Sequence, residues 1–279
     1  MRILYNRKSE LINTNMSDSN VGGRKDKSCI NHIWVVNGII HEQLSSVKNL
    51  PIVIQQYDYT QMFDGMNLKE PLSDLYNTGV QDDTLNILYQ ANKSVEVRVK
   101  TQFGLTDVVT LDEAVLQGEV WGPILAANQV DAFGKEMLQE DYSFMFRYKG
   151  YIPVPVLGQI DDTIGISLAG YKANQFNSYM NVKSADKYLQ FRYEKCKAMV
   201  VGKNIESFHL PNLQVDTWRT HHSNEGDLIE SFEGKKNMQV CEELTYLGVE
   251  ISSDGRNMKT ILRKRRKKYL KKRKKFKFL

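Results

Sequence analysis

Three carboxylates stand where they could converge. Asp58 closes the β-rich run Pro51-Ile-Val-Ile-Gln-Gln-Tyr57, and the pair Asp161-Asp162 sits between two short apolar arms, Val154 to Gln159 and Thr163 to Ser167. Magnesium takes oxygen ligands in near-octahedral geometry and keeps positions for water and substrate phosphates. Two such ions can clamp the attacking and leaving oxygens of a phosphoryl transfer. Three acids from two strand ends therefore point to two-metal chemistry on a growing nucleic-acid strand. Neighbouring strand residues face opposite ways, so Asp161 and Asp162 reach one site only if a tight turn reorients them. An isolated Asp-Asp pair is more often a solvated turn than a metal site, so the surrounding elements must carry the reading.

Those elements predict an α+β fold. Residues 17 to 28 form a glycine-bearing basic loop, and Ile30 to Leu44 recovers helical apolar spacing through Ile33, Val36 and Ile40. Pro51 to Asp58 reads as a strand, and Leu68 to Tyr76 and Thr84 to Ala91 as helices split by Asn77-Thr-Gly79. Val95, Val97 and Val99 alternate with charged residues, and with Thr106 to Leu111 they suggest a hairpin. Gly122 to Leu138 and the stretch after Ser167 to about Leu189 read as helices, and Lys197 to Val201 and Leu244 to Ile251 as further β structure. Strands and helices alternate without a doubly wound repeat, which predicts a mainly antiparallel sheet with helices on one face.

Composition narrows the class. The formal charge of +5 conceals an asymmetry: residues 256 to 279 hold fourteen Lys and Arg and no Asp or Glu, leaving the first 255 residues near −9. Cys29, Cys196 and Cys241 are far apart, with no CxxC pair, which argues for a reducing compartment and against structural zinc. The first residues lack a secretory apolar stretch, and no run approaches the roughly 20 apolar residues of a membrane helix. His221-His222 reads as an exposed loop, and Gly202-Lys203 lacks the glycines of a phosphate-binding loop.

From about Asn20 to Gly255 the chain resembles the reverse-transcriptase domain of non-LTR retrotransposons, block by block and in order. Ser17-Asp-Ser-Asn20-Val-Gly-Gly-Arg24-Lys-Asp-Lys27 is similar to the family's fingers motif, which implies that Arg24 and Lys27 contact nucleotide phosphate or template. Tyr57-Asp58-Tyr59-Thr-Gln-Met-Phe63-Asp64 resembles its first catalytic motif, implying metal ligation by Asp58 and the Tyr59 carbonyl and a steric gate at Phe63 that excludes a ribose 2′-hydroxyl. Leu116-Gln117-Gly118 is similar to the Gln-Gly element under the template and nascent pair, with Leu116 where the family has Pro. Gly158-Gln159-Ile160-Asp161-Asp162 resembles the Asp-Asp hairpin, with Gln159 in the usual aromatic position. Glu194-Lys195-Cys-Lys197 resembles a palm motif whose lysine is proposed as general acid toward pyrophosphate; Lys195 is favoured. Leu244-Thr-Tyr246-Leu247-Gly248 looks like the primer-grip hairpin.

The resemblance implies a right-hand polymerase palm with partial fingers at 1–56, a palm at 57–255 with a fingers insertion at about 66–110, and a basic low-complexity tail at 256–279. It implies RNA-directed DNA polymerisation with two Mg²⁺, an RNA template, a DNA primer and dNTPs. An intracellular location follows, nuclear or ribonucleoprotein-associated. The match fails at both ends, as if the chain began inside the polymerase domain and lost most of a helical thumb. That leaves open a remnant that binds nucleic acid without polymerising it, or an RNA-binding role like that of intron maturases. The Lys-rich tail would hold phosphates non-specifically through counterion release.

Overall fold

The computed structural model describes residues 1–45, 50–60, 62–63, 66–113, 115, 118–139, 144–147, 150–154, 156–203, 205, 213–222 and 228–256. These contain six α-helices: α1 Arg2–Asn15, α2 Cys29–Ser45, α3 Lys69–Asn77, α4 Asp83–Asn92, α5 Gly122–Gln139 and α6 Tyr171–Asp186. Local chemistry sets several ends. Asp82 caps α4 by accepting from the Thr84 amide at 3.0 Å. Pro123 lies in the first turn of α5, where a missing amide costs no intrahelical bond.

The central sheet has five strands. Ile52–Tyr57 runs through its middle, antiparallel to Asp162–Leu168 on one side and to Lys197–Val201 on the other. Leu157–Gln159 extends the first side as a hairpin arm, and Gln239–Val240 lies parallel along the far edge. The mainly antiparallel character matches the sequence expectation.

The layering does not. Odd-numbered residues of the middle strand face α5 and α6: Val53 and Tyr57 share a core cluster with Ile124, Val130, Phe133, Phe176 and Met180. The Tyr57 hydroxyl donates to Asn177 Oδ1 at 3.1 Å, and Gln55 Nε2 donates to the Ala173 carbonyl at 3.2 Å. The even-numbered residues Ile52 and Ile54 pack instead with Val36, Ile39 and Ile40 of α2 and with Leu244, Tyr246 and Ile251. Helices therefore cover both faces, not one. A strand buried on both sides loses the apolar-polar alternation that would reveal its layers, which is why Ile52-Val-Ile54 reads as a continuous run.

Five antiparallel ribbons surround this core among the described residues: Lys93–Val97 with Val109–Glu113, the short Lys100–Thr101 with Gly104–Leu105, Phe144–Arg147 with Tyr151–Val154, Gln214–His222 with Leu228–Asn237, and Glu243–Tyr246 with Val249–Ser252. His221-His222 thus ends a strand and is not a loop. The 66–110 segment read as an insertion holds α3, α4 and most of the first ribbon, and Leu72, Leu75 and Leu88 share the core with α5.

Candidate functional site

Strand register places the acids. Tyr57 pairs with Thr163, so one step further Asp58 stands across from Asp162. Both have the parity of Ile54 and Ile164, and side chains of like parity on paired strands share a face. Asp58 and Asp162 therefore emerge together on the face covered by α2 and the 243–252 hairpin.

The Asp-Asp hairpin closes as required. Gln159 pairs with Asp162, leaving Ile160-Asp161 as a two-residue turn. Ile160 has a φ of +61°, the sign that tight hairpin turns demand at their first central residue and that a β-branched side chain resists. Asp161 is exposed, while Asp58 and Asp162 are half-buried. Burial raises the Asp162 pKa above the ordinary carboxylate range; Asp161 and Asp58 push it further and Lys195 offsets part of the rise.

Beyond the sheet, residues 58–60 pair with 190–192. The Arg192 amide donates to the Asp58 carbonyl and the Thr60 amide to the Gln190 carbonyl, both at 2.8 Å, with Tyr59 opposite Phe191 and their rings stacked 5.1 Å apart. Antiparallel alternation turns the Tyr59 carbonyl away from this pairing, toward the hairpin side where a metal ligand is expected. Lys195 Nζ donates to Asp58 Oδ2 at 3.3 Å, and Arg192 Nε lies 4.0 Å from Asp58 Oδ1. Arg192 was missed from the sequence; the only signal was a second cation three residues before Lys195. Cys196 lies beside the same carbonyl, and burial pushes its thiol up to about 12, so it stays protonated.

Among the described residues no three or more His, Cys, Asp or Glu side chains are close enough together to hold a metal ion. The donor types nevertheless suit a hard cation. Burial is the main cause of the raised Asp162 carboxyl, and the neighbouring Asp161 and Asp58 add to it; positive charge between the acids would relieve that added part. Asp58 is meanwhile satisfied by Lys195 and Arg192.

Other expected residues fall in varied settings. Arg24 is buried and all five of its donors are committed. Nε donates to Asn13 Oδ1 at 3.2 Å, and Nη2 to the Asn13 and Met16 carbonyls at 2.7 and 3.1 Å. Nη1 donates to the Asn20 carbonyl at 2.9 Å and to the Ser17 carbonyl. Its guanidinium ties the end of α1 to the following loop and has no donor left for a phosphate. Lys27 lies at the surface, 2.5 Å from Asp18 Oδ1. Phe63 is half-buried against the larger core cluster. Gly118 is exposed with a φ of +96° and open space where a Cβ would be. Gln117, Leu116, Asp64 and the tail beyond Arg256 lie outside the described residues. Leu247 and Gly248, with φ of +51° and +73°, form the two-residue turn of the 243–252 hairpin. Tyr246 is fully buried, donating to the Leu157 carbonyl at 3.2 Å. Its hydroxyl serves the Asp-Asp hairpin from beneath and is not presented outward.

No protein-family model and no curated protein matches the chain in sequence. Solved structures match in fold. Apo telomerase from Candida tropicalis aligns with a TM-score of 0.57 at 11% identity, over 91% of this chain and 39% of that one. Telomerase from the same organism in complex with a TWJ fragment of telomeric RNA gives 0.53 at 11% identity, over 91% and 36%. Candida albicans telomerase in complex with a TWJ fragment of telomeric RNA gives 0.54 at 12% identity, over 90% and 36%. The chain thus shares a fold with these telomerases and spans well under half of their length. None of its described helices is long and apolar enough to cross a membrane.

Proposed function

We propose that this chain is an RNA-directed DNA polymerase module of the non-LTR retrotransposon type, in which a primer 3′-hydroxyl attacks the α-phosphate of a dNTP. The observation that carries this reading is the strand register that sets Asp58 across from Asp162 at the tip of a tight Asp-Asp hairpin. The telomerase-like fold supports it, since telomerases are reverse-transcriptase-related polymerases.

In this reading Asp58, Asp161, Asp162 and the Tyr59 carbonyl hold two Mg²⁺. When bound, the ions supply Lewis acidity at the primer hydroxyl and the triphosphate. Lys195, already beside Asp58, gives a proton to the departing pyrophosphate. Phe63 packs beneath the deoxyribose. Lys27, Gln117 and Gly118 meet template and nucleotide, and the Leu247-Gly248 turn meets the primer. With Arg24 committed internally, this reading gives the phosphate contact of that loop to Lys27, which would have to leave its ion pair with Asp18 to make it. Function as a nuclear ribonucleoprotein belongs to the same proposal.

Primer extension on an RNA template with dNTPs and Mg²⁺ tests it. Extension by the wild-type chain that Asp161→Asn abolishes is expected. A second reading, a nucleic-acid binder that does not polymerise, is favoured by Asp58 being paired with cations and by the lack of a compact ligand group among the described residues. RNA binding without extension, indifferent to Asp161→Asn, would establish that reading instead.

A further inference from the structure

The Asp-Asp hairpin is gripped from behind by a loop some 140 residues earlier. The Gly158 amide donates to the Ser19 carbonyl at 2.6 Å, and the Val21 amide to the Gly158 carbonyl at 3.1 Å, so Asn20 and Gly158 pair as one parallel bridge. Asn20 is wholly buried. Its Oδ1 accepts from the Gly22 amide at 2.9 Å and from the Ile160 amide at 3.4 Å. Both glycines make this approach possible. A Cβ on Gly158 would stand 2.8 Å from Asn20 Nδ2, and one on Gly22 would stand 2.5 Å from Ile160 Cγ1 and 2.6 Å from the Ile160 amide nitrogen. Behind the loop, Asp131 of α5 accepts from the Ser17 amide at 3.0 Å and from both serine hydroxyls, so the grip is anchored to a buried helix.

The gripped residue is the strained one. Ile160 holds a φ of +61°, and a β-branched residue left to itself moves to negative φ. Such a conformation persists only where the surroundings over-determine it. Asp161 and Asp162 follow directly, so any relaxation of Ile160 swings both carboxylates away from Asp58.

We propose that Asn20 is a positioning residue for the catalytic hairpin: its side-chain oxygen, brought close by Gly22 and Gly158, holds Ile160 in the left-handed conformation that aims Asp161 and Asp162. This rests on the polymerase reading for its catalytic consequence, but the conformational claim stands apart from it. Strain also supplies the control. Glycine adopts positive φ freely, so Ile160→Gly makes the turn indifferent to the grip.

The test compares wild type, Asn20→Ala, Ile160→Gly and the double variant by amide hydrogen exchange across residues 156–164, by thermal melting, and by single-turnover primer extension. Asn20→Ala should speed exchange at Ile160 and its neighbours more than at the middle strand. It should slow the extension step by up to about 100-fold, as misplacement of about 1 Å can, with primer-template affinity unchanged. Ile160→Gly added to Asn20→Ala should restore most of that rate. Gly22→Ala presses on Ile160 from the same side and should reproduce the local exchange signature, which keeps the claim decidable if Asn20→Ala fails to fold. Unchanged exchange at Ile160 overturns the proposal, as does a uniform loss of protection that Ile160→Gly leaves uncorrected. A wild-type chain that does not extend primers defeats the polymerase reading, while the exchange comparison still decides the grip.

Discussion

Replacing Arg24 separates a structural from a nucleotide-binding arginine. Its five hydrogen bonds reach Asn13, Met16, Ser17 and Asn20, four of them ending on main-chain carbonyls. At a net worth of about 1 kcal/mol per hydrogen bond, Arg24→Met forfeits about 5 kcal/mol before any repacking. The buried Met16 and Asn20 carbonyls would then be left without a donor, at about 1–3 kcal/mol each, a loss of the same order. Arg24→Lys should recover little, because an ammonium cannot reproduce the planar five-donor fork. Urea denaturation of wild type, Arg24→Met and Arg24→Lys measures this, with RNA binding followed on the folded fraction. A stability loss of about 3–5 kcal/mol for Arg24→Met, with little change in RNA affinity, is expected. A loss below about 1 kcal/mol, or a selective loss of nucleotide affinity at full stability, would refute the assignment.

Asp162 has a folded-state pKa raised above its unfolded value, so its ionised form weakens the fold above the ordinary carboxylate range and the penalty vanishes once both states are protonated. Asp162→Asn should therefore raise the urea midpoint at pH 7, with the gain fading as pH falls below about 4; an equal gain at both pH values counts against it. Lys195→Met removes the cation that lowers the Asp162 carboxyl, so the acid limb of the extension rate should move to higher pH; an unmoved limb rules out that coupling. Phe63→Val should admit ribonucleotides, read as the ratio of rNTP to dNTP incorporation; unaltered sugar selection removes the gate. In Gly165→Ala the new Cβ would lie 1.9 Å from Phe176 Cζ. Overpacking of this kind costs about 1–3 kcal/mol, and Phe176→Leu in the same chain should recover part of it in a urea titration.

The acids were legible because their neighbours carry local signals: a β-rich run ends at Asp58, and two apolar arms flank Asp161-Asp162. The helices α2 and α5 were legible from spacing. What stayed hidden depends on contacts far apart in sequence. Arg24 looked like one more cation of a basic loop, and only the fold of that loop against the end of α1 consumes its donors. The second covered face was hidden because Ile52-Val-Ile54 is apolar in both directions. α1 escaped because Ile12 is its only fully buried residue, too little to impose a pattern. The ribbon Gln214–His222 with Leu228–Asn237 escaped because its charged residues dilute the alternation.

Register is the property on which the site turns, and the sequence protects it in a way that motif comparison does not show. A slip of one residue between Ile52–Tyr57 and Asp162–Leu168 would send Asp162 to the opposite face, toward α5 and α6. Such a slip would replace Gly165 with Ile164 or Ile166 on the face that meets the Phe176 ring. There even a single Cβ has no room. It would also withdraw Ile164 and Ile166 from Val36, Ile39 and Ile40 of α2, forfeiting about 1.5–3 kcal/mol for each buried side chain. The glycine and the two isoleucines thus specify one pairing from both faces at once, and that pairing sets Asp58 across from Asp162. The motif that holds the acids is local, but their meeting across the sheet is fixed by residues outside it.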